Sequence, residues 1–585
     1  MKRTLTLAAL LSLMALSCQS PQQAATALYD IIDADWEWTL ENFPTYGTFL
    51  GDPRYNDRLM DLTPEAIEAR QLYARDMLGR LDKIKADDLD AADRLNYDLF
   101  RQQFEEQVQG QIFSDNLMPV NQMRSVQISL ASLQMVTPFN NLKDYQNYIK
   151  RLSLMPRLIQ QTADLMRRGM ESGWVMPKVP LRSVPDQIQA QIDGKVVDSP
   201  FYRPFKAFPQ SIDPQEQQEL AATARSIITD ELKPAFKALR TFIVQEYLPA
   251  ARDEVGAWAL PDGAAFYAYR VKSMTTTDLT ADEIHDIGQG EVARIKVEMM
   301  KIVKATGFGA DFAAFTHFLR TDKRFYHTSA EALLSGYRDL SKRIDPKLTQ
   351  LFGKLPRAPY GVEPIPDYEA PASTTAYYRR PAADGSRPGT FFANTYALDQ
   401  RPTYEMAALT IHEAVPGHHL QISLAQELEN MPNFRKYGGY TAFTEGWGLY
   451  SESLGEEMGM YTDPYDKFGQ LSYEMWRAVR LVVDTGMHHK RWTRQQAIDF
   501  FHENTGLSEL NIISEVDRYI VWPGQALAYK IGELKIKELR AIATETLGED
   551  FDIRDFHDTV LGQGALPLNL LEAQVLAWME EVRRR

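Results

Sequence analysis

From Leu28 onward, apolar residues recur at helical spacing through most segments, and this pattern limits the chain to a mainly α fold. "TPEAIEARQLYARDMLGRLDKI" (Thr63 to Ile84) opens with a threonine cap, a proline at the first helical position and a glutamate in the first turn. In "TADEIHDIGQGEVARIKVEMMKIV", Thr280 and Glu283 have the spacing of a capping box. "DPQEQQELAATARSIITDELKPAFKALRTFIVQEYL" reads as a long helical stretch that Pro234 breaks or bends, since proline has no N–H and its ring crowds the preceding turn. Two regions depart from the helical pattern. Residues 171–215 are proline-rich and are expected to form ordered loops over a surface or along a cleft. "ASTTAYYRRPAADGSRPGTFFANTYAL" (Ala372 to Leu398) sets aromatic and threonine-rich runs around a Pro/Gly/Asp cluster, which predicts a β-hairpin or small sheet. The expected organisation is a helical N-terminal half over 28–270 and a C-terminal half over 271–585 that carries the chemistry.

The chain begins "MKRTLTLAALLSLMALSCQSPQQ". Lys2 and Arg3 precede a short apolar run, Thr4 to Leu16, too short for a permanent bilayer span, so residues 1–17 read as a signal peptide. Cys18 is the only cysteine in 585 residues, and "ALSC" resembles a bacterial lipobox. That likeness implies cleavage before Cys18, acylation of it, and a tether over 18–27. Gln19, where an aspartate would retain the protein, implies an outer-membrane lipoprotein facing the periplasm, attached only through lipid on Cys18. The plainer alternative is a secretory signal with an incidental cysteine. No other cysteine exists to form disulfides, and a chain of this length buries a large core without them. The formal charge of −15 and the lack of a basic stripe argue against a nucleic-acid partner.

The chemistry-bearing segment is "TIHEAVPGHHLQIS" (Thr410 to Ser423), which holds three of the ten histidines. In the metalloprotease helix H-E-x-x-H, the two histidines sit about 40° apart around the axis and about 6 Å along it, so both reach one zinc ion. The intervening glutamate then takes a proton from the attacking water. His412 and Glu413 fill the first two positions, but Pro416 stands at the fifth. A bulge or break at Pro416-Gly417 is therefore expected, because the proline ring clashes with the carbonyl of His412. Looping out two residues makes His418 the second ligand. A regular helix would favour His419, nearly on the same face but about 10.5 Å along the axis, an awkward span for one ion. His418 is preferred, with His419 beside the ligands or facing substrate.

A third protein ligand leaves the fourth position open. "GGYTAFTEGWGLYSESLG" offers Glu445 and Glu452, seven apart and able to share a helix face. Gly446 and Gly448 permit close packing around Glu445, which is taken as the ligand with Glu452 as its outer partner.

"HEAVPGHHLQ" followed by "FTEGWGLYSE" resembles the bacterial family called domain of unknown function 885. "LTADEIHDIGQGEVARI", "DTGMHHKRWTRQQA" and "EVDRYIVWPGQALAYKIG" extend the likeness over most of the mature chain. Members resemble gluzincins, zinc peptidases with two histidines and one glutamate as ligands. "TEGWG" is similar to the N-E-G-F-A segment that supplies the glutamate in gluzincin aminopeptidases, which implies Glu445 as ligand. The H-E-x-x-P-G-H-H motif has one residue more than the H-E-x-x-G-H variant, which aligns Gly417-His418 with that Gly-His pair. The resemblance implies a large helical peptidase-like fold, a deep cleft, one Zn2+ per chain and a peptide substrate. It also implies an oxyanion donor downstream of the glutamate ligand, with Tyr519 the first candidate and Tyr529 the second. Each is equally readable as a core aromatic. Arg518 suits a peptide carboxylate or an ion pair with Glu515 or Asp517. His489, with His488, is a candidate for the surroundings of the site. His285, His317, His327, His502 and His557 are isolated and read as structural or surface histidines, not ligands.

The leading expectation is a zinc metallopeptidase with Glu413 as general base. The alternatives are a metal hydrolase acting on another envelope bond, an ester or a cell-wall amide, and a non-catalytic peptide-binding lipoprotein.

Overall fold

Helices start where the sequence supplies their caps. One runs Pro64–Leu81, with its proline in the first turn. Another, α1 (Ala281–Ala305), carries the complete capping box, Thr280 and Glu283 each bonding the other's backbone N–H. The stretch around Pro234 stays helical: Pro214–Ser226 passes into a π-helical segment, Ile227–Leu232, before Lys233–Phe242. The wider turns ahead of the proline absorb its missing donor. These observations come from a computed structural model that describes residues 21–123, 125–366 and 370–585. The expected signal peptide and Cys18 lie outside the described residues.

The proline-rich region differs from the expected ordered loops. It folds into short helical turns, Lys178–Leu181, Val184–Ile192 and Pro200–Lys206. Phe201, Tyr202 and Phe205 are buried in an apolar cluster there. The aromatic residues between the prolines supply enough apolar surface to pull the segment inward.

The fold is mainly helical with one small sheet. Among the described residues, those from 21 to 38 together with Glu68–Gln111 form one compact unit, and Thr39–Ile67 with Ile112–Arg585 form a second. In the first, Trp38 stacks on Tyr73 at 3.7 Å and the Tyr29 hydroxyl donates to Asp93 over 2.8 Å. The expected division at residue 270 falls inside the helix Gly263–Thr275 of the second unit. Two apolar clusters of that unit do part nearby, one drawn chiefly from residues 120–251 and one from 255–526.

Six further helices of the second unit build or back the site: α2 (Thr403–Glu413), α3 (His418–Glu427), α4 (Thr441–Glu457), α5 (Pro464–His488), α6 (Glu509–Val521) and α7 (Ala528–Leu547). α2 packs on α4 and α5, and α4 lies along α7. The α4–α7 crossing depends on glycine, since a Cβ on Gly446 would stand 2.5 Å from the Gly532 Cα. The sheet has the order β1-β3-β2, with β1 (Tyr360–Pro364) parallel and β2 (Ala376–Arg379) antiparallel to the central β3 (Gly389–Ala393). The β2–β3 pair is the expected hairpin; β1, a five-residue strand containing proline and glycine, has no such signature. The outer edge of β2 pairs with no strand among the described residues.

α5 is buried along nearly its whole length yet carries Glu474, Arg477, Arg480 and Asp484. Each is partnered. Lys530 of α7 bridges Glu474 (2.9 Å) and Glu533 (2.6 Å). Asp484 accepts from the Tyr267 hydroxyl at 2.6 Å and from the Gly524 N–H at 3.1 Å. Burial pushes its carboxyl up from 3.8 to about 7, against the pull of those donors. An acid whose folded value is raised stabilises the fold fully below its unfolded value and loses that contribution as pH climbs through the folded one. The Tm difference between the parent and Asp484→Asn is therefore expected to shift against the parent from pH 4 to pH 7. The corresponding slope in unfolding free energy is at most about 1.4 kcal/mol per pH unit. A pH-independent difference would refute the assignment.

Candidate functional site

α2 ends where its sequence forces it to end. Glu413 is its last residue, Ala414–Gly417 turn, and α3 restarts at His418. The turn re-forms the hydrogen bonds that Pro416 cannot make. Gly417 N–H reaches the Ile411 carbonyl and His419 N–H the Ala414 carbonyl, both at 2.9 Å. Trp447 of α4 donates its indole N–H to the Pro416 carbonyl over 2.8 Å. Gly417 is held so close to α2 that a Cβ would stand 2.0 Å from the His412 carbonyl oxygen.

This turn swings His418 round to face His412. The two rings lie 4.7 Å apart at 86°. α4 brings Glu445 against both, its Oε2 at 3.6 Å from His412 Nε2 and 3.5 Å from His418 Nε2. Close approach of α4 again needs glycine, because a Cβ on Gly448 would come within 2.7 Å of the His412 ring. The three donor atoms lie within 4.8 Å of one another, and His412, His418 and Glu445 are the only such group of His, Cys, Asp or Glu among the described residues.

The surroundings suit a cation. Glu452 accepts from His412 Nδ1 at 2.8 Å, which leaves the His412 Nε2 lone pair facing Glu445 and His418. Burial works against a charged His412, but Glu445 and Glu452 outweigh it and raise the imidazole to about 9. Glu445 is half-buried, which disfavours its charged form, yet the two histidines hold it well below the ordinary carboxylate range. Two imidazoles and one carboxylate with an open fourth direction are a donor set that fits zinc. Glu413 lies beside them; burial raises its carboxyl, opposed by His418 and His412.

The other expected residues divide. His419 is not in the cluster: its Nδ1 lies 2.9 Å from the Tyr378 hydroxyl and its Nε2 3.0 Å from the Ala358 carbonyl, so it ties α3 to the sheet. Tyr529 lines the cavity in front of the cluster, and Arg518 lines it as well. Arg518 pairs with Glu515 at 2.9 Å, while Asp517 is taken by Arg494. Tyr519 requires correction as the favoured oxyanion donor. Its hydroxyl donates to Glu515 at 2.6 Å and accepts from Arg480 and Trp476, and it does not line the cavity. The rotation of α6 turns Arg518 to the cavity and Tyr519 into the core. His489 also requires correction: it is exposed, 3.2 Å from Asp282, because the chain leaves α5 there toward solvent. His488 is buried between Ala257 N–H and the Tyr519 carbonyl.

The cavity holds about 430 Å³ and runs from Thr374–Tyr378 along the β2 edge, past His412, Glu413, His418 and Glu445, to a wall of Arg477, Arg480 and Arg518. Arg477 and Arg480 were not anticipated. Their signal was two arginines three apart inside the apolar run "YEMWRAVRLVVD", where a buried charge must have a purpose or a partner.

The chain belongs to the family described as bacterial protein of unknown function (DUF885), which it matches over residues 44–575. It is similar to the crystal structure of a protein from Colwellia psychrerythraea described as a lipoprotein, with 30% identity, a TM-score of 0.90, and coverage of 96% of this chain and 99% of that one. A protein from Shewanella oneidensis, described as a lipoprotein of unknown function, shares the fold at 16% identity and a TM-score of 0.71, over 95% of this chain and 100% of that one. No curated protein matches the chain. Among the described residues, no helix is long and apolar enough to cross a membrane.

Proposed function

We propose that the protein is a zinc-dependent peptidase, exported and anchored through lipid on Cys18. The observation that carries this reading is the convergence of His412 Nε2, His418 Nε2 and Glu445 Oε2 beside the carboxyl of Glu413. The lipoprotein descriptions of the two relatives support the anchor. Bound zinc supplies a Lewis acid that polarises a peptide carbonyl and acidifies water.

The chain's own residues do the rest. Glu413 takes a proton from the attacking water, whose oxygen joins the carbonyl carbon. The C–N bond then breaks, and Glu413 returns the proton to the departing nitrogen, so one water is consumed per bond cut. Tyr529, which lines the cavity, is the donor that would meet charge growing on the carbonyl oxygen. Glu452 keeps the His412 imidazole in one tautomer and orientation. The unpaired edge of β2 at Thr374–Tyr378 accepts an extended backbone by strand addition.

Metal analysis of the purified protein is expected to give about one zinc per chain, in line with a single three-ligand site. His412→Ala is expected to lose it. No zinc in the parent after incubation with the metal would sink this reading and leave a non-catalytic binding protein.

A further inference from the structure

The protein as a whole is acidic, with a net charge of −15, yet the walls on both sides of the His-His-Glu cluster are basic. On one side stand Arg477, Arg480 and Arg518. All three are buried, at 5%, 4% and 6% exposure. Glu515 lies between two of them, 3.1 Å from Arg480 and 2.9 Å from Arg518. Arg477 approaches Glu452 at 3.5 Å, but that carboxylate already accepts from His412. Two of the three guanidiniums, Arg480 and Arg518, therefore share the single carboxylate of Glu515. Arg480 is held in place by the rings of Trp476 and Tyr529, 4.7 Å and 4.4 Å from its guanidinium carbon. Its Nη1 is buried with no hydrogen-bond partner. A fixed guanidinium with an unused donor, sharing its one carboxylate with a second arginine, suits a further carboxylate.

On the other side, a second cavity of about 310 Å³ shares Ile422, Thr444 and Glu445 with the first. Its charged lining is Arg380, Arg435 and Lys436, with Glu445 the only carboxylate. An aminopeptidase must hold a free ammonium next to its metal site, and this lining repels one. The direction of β2 agrees. Arg380, which follows its last residue, faces the second cavity, while Thr374 and Thr375, which precede its first, face the arginine wall's cavity. A peptide added antiparallel to β2 runs its C-terminus toward Thr374 and its N-terminal portion toward Arg380.

We propose that the protein cuts short peptides near a free C-terminus, and that Arg480, aided by Arg518, holds the terminal carboxylate. The proposal rests on the peptidase reading above and adds no chemical step to it. Arg480 is a specificity-determining residue, and Glu515 positions it.

The test uses pairs of N-acetylated peptides that differ only in a free or amidated C-terminus, with products identified by mass spectrometry. The zinc-loaded wild-type protein is expected to cut the free acid with kcat/KM at least about 100-fold higher, the loss typical when one partner of a desolvated charge pair is removed. That ratio is expected to fall toward 1 in Arg480→Met and to recover in part in Arg480→Lys, which restores the charge without the fork. Equal cutting of acid and amide by the wild type overturns the proposal and leaves the peptidase reading standing. If neither peptide is cut, the peptidase reading fails, and binding to the wild type measured by calorimetry then decides the carboxylate site. Tighter binding of the acid by at least about tenfold retains the site, and equal affinities overturn it.

Discussion

Replacing Glu413 with glutamine is expected to lower kcat on a cleaved peptide by about 10³-fold, within the range that a positioned general base contributes. Zinc content is expected to stay at that of the parent. The two outcomes separate cleanly because Glu413 is not one of the three converging donors. The amide has the shape of the carboxyl and fits the same buried space at the end of α2, where Glu413 is 8% exposed. What it lacks is the ability to accept a proton from water and release it to the leaving nitrogen. The protonation state is the discriminating point. Burial favours the neutral acid, and His418 and His412 favour the carboxylate. A positive ion held by the histidines works in the same direction as the histidines themselves, toward the carboxylate that a base requires. Single-turnover measurements of the variant against the parent are the check. Full activity in Glu413→Gln would mean that the proton goes elsewhere, and the mechanism would have to be rebuilt around another cavity group.

The local features of the fold were legible because they are written in adjacent residues. The capping box of α1 needs only Thr280 and Glu283, and the end of α2 needs only Pro416. Glu445 could be preferred over Glu452 from its glycine neighbours, and those glycines do lie where α4 meets α7 and the His412 ring. The two glutamates take different places because they stand seven residues, about two turns, apart on α4, so that one meets His412 Nε2 and the other Nδ1. What the sequence did not reveal was the rotation of α6. "DRYIVW" offers Arg518, Tyr519 and Trp522, and only their tertiary setting against α5 decides which faces the cavity. The arginine wall was hidden for the same reason. Arg477 and Arg480 look like interruptions of a core helix until Glu515 and Glu452 arrive from other elements. β1 was missed because a strand of five residues with a glycine and a proline is formed by pairing with β3, not by its own propensity.

Gly417→Ala is expected to abolish zinc binding and to destabilise the protein by at least about 2 kcal/mol, the scale of an overpacked interior site. Gly439→Ala, a few residues before α4, is the control. A Cβ there meets nothing nearer than the Thr444 Oγ1 at 3.7 Å, so that variant is expected to keep both metal and Tm. At Gly417 the added methyl would sit 2.0 Å from the His412 carbonyl oxygen and 2.4 Å from that of Ile411. Neither oxygen can retreat alone. The Ile411 carbonyl accepts from Gly417 itself, and the Pro416 carbonyl next door is pinned by Trp447. Relief therefore requires the turn to open, and the turn is what creates the ligand pair. His418 is six residues after His412; on an unbroken helix it would stand about 120° away around the axis and about 9 Å along it, too far round to share one ion. The break at Ala414–Gly417 replaces that regular geometry and brings the two rings to 4.7 Å. The Pro-Gly pair is thus the element that lets a stretched motif converge on one ion. The combination to measure is zinc stoichiometry and thermal unfolding of Gly417→Ala beside Gly439→Ala. Parent-like values for both variants would show that the turn yields to a methyl group, and the close approach at Gly417 would then not be what sets His418 against His412.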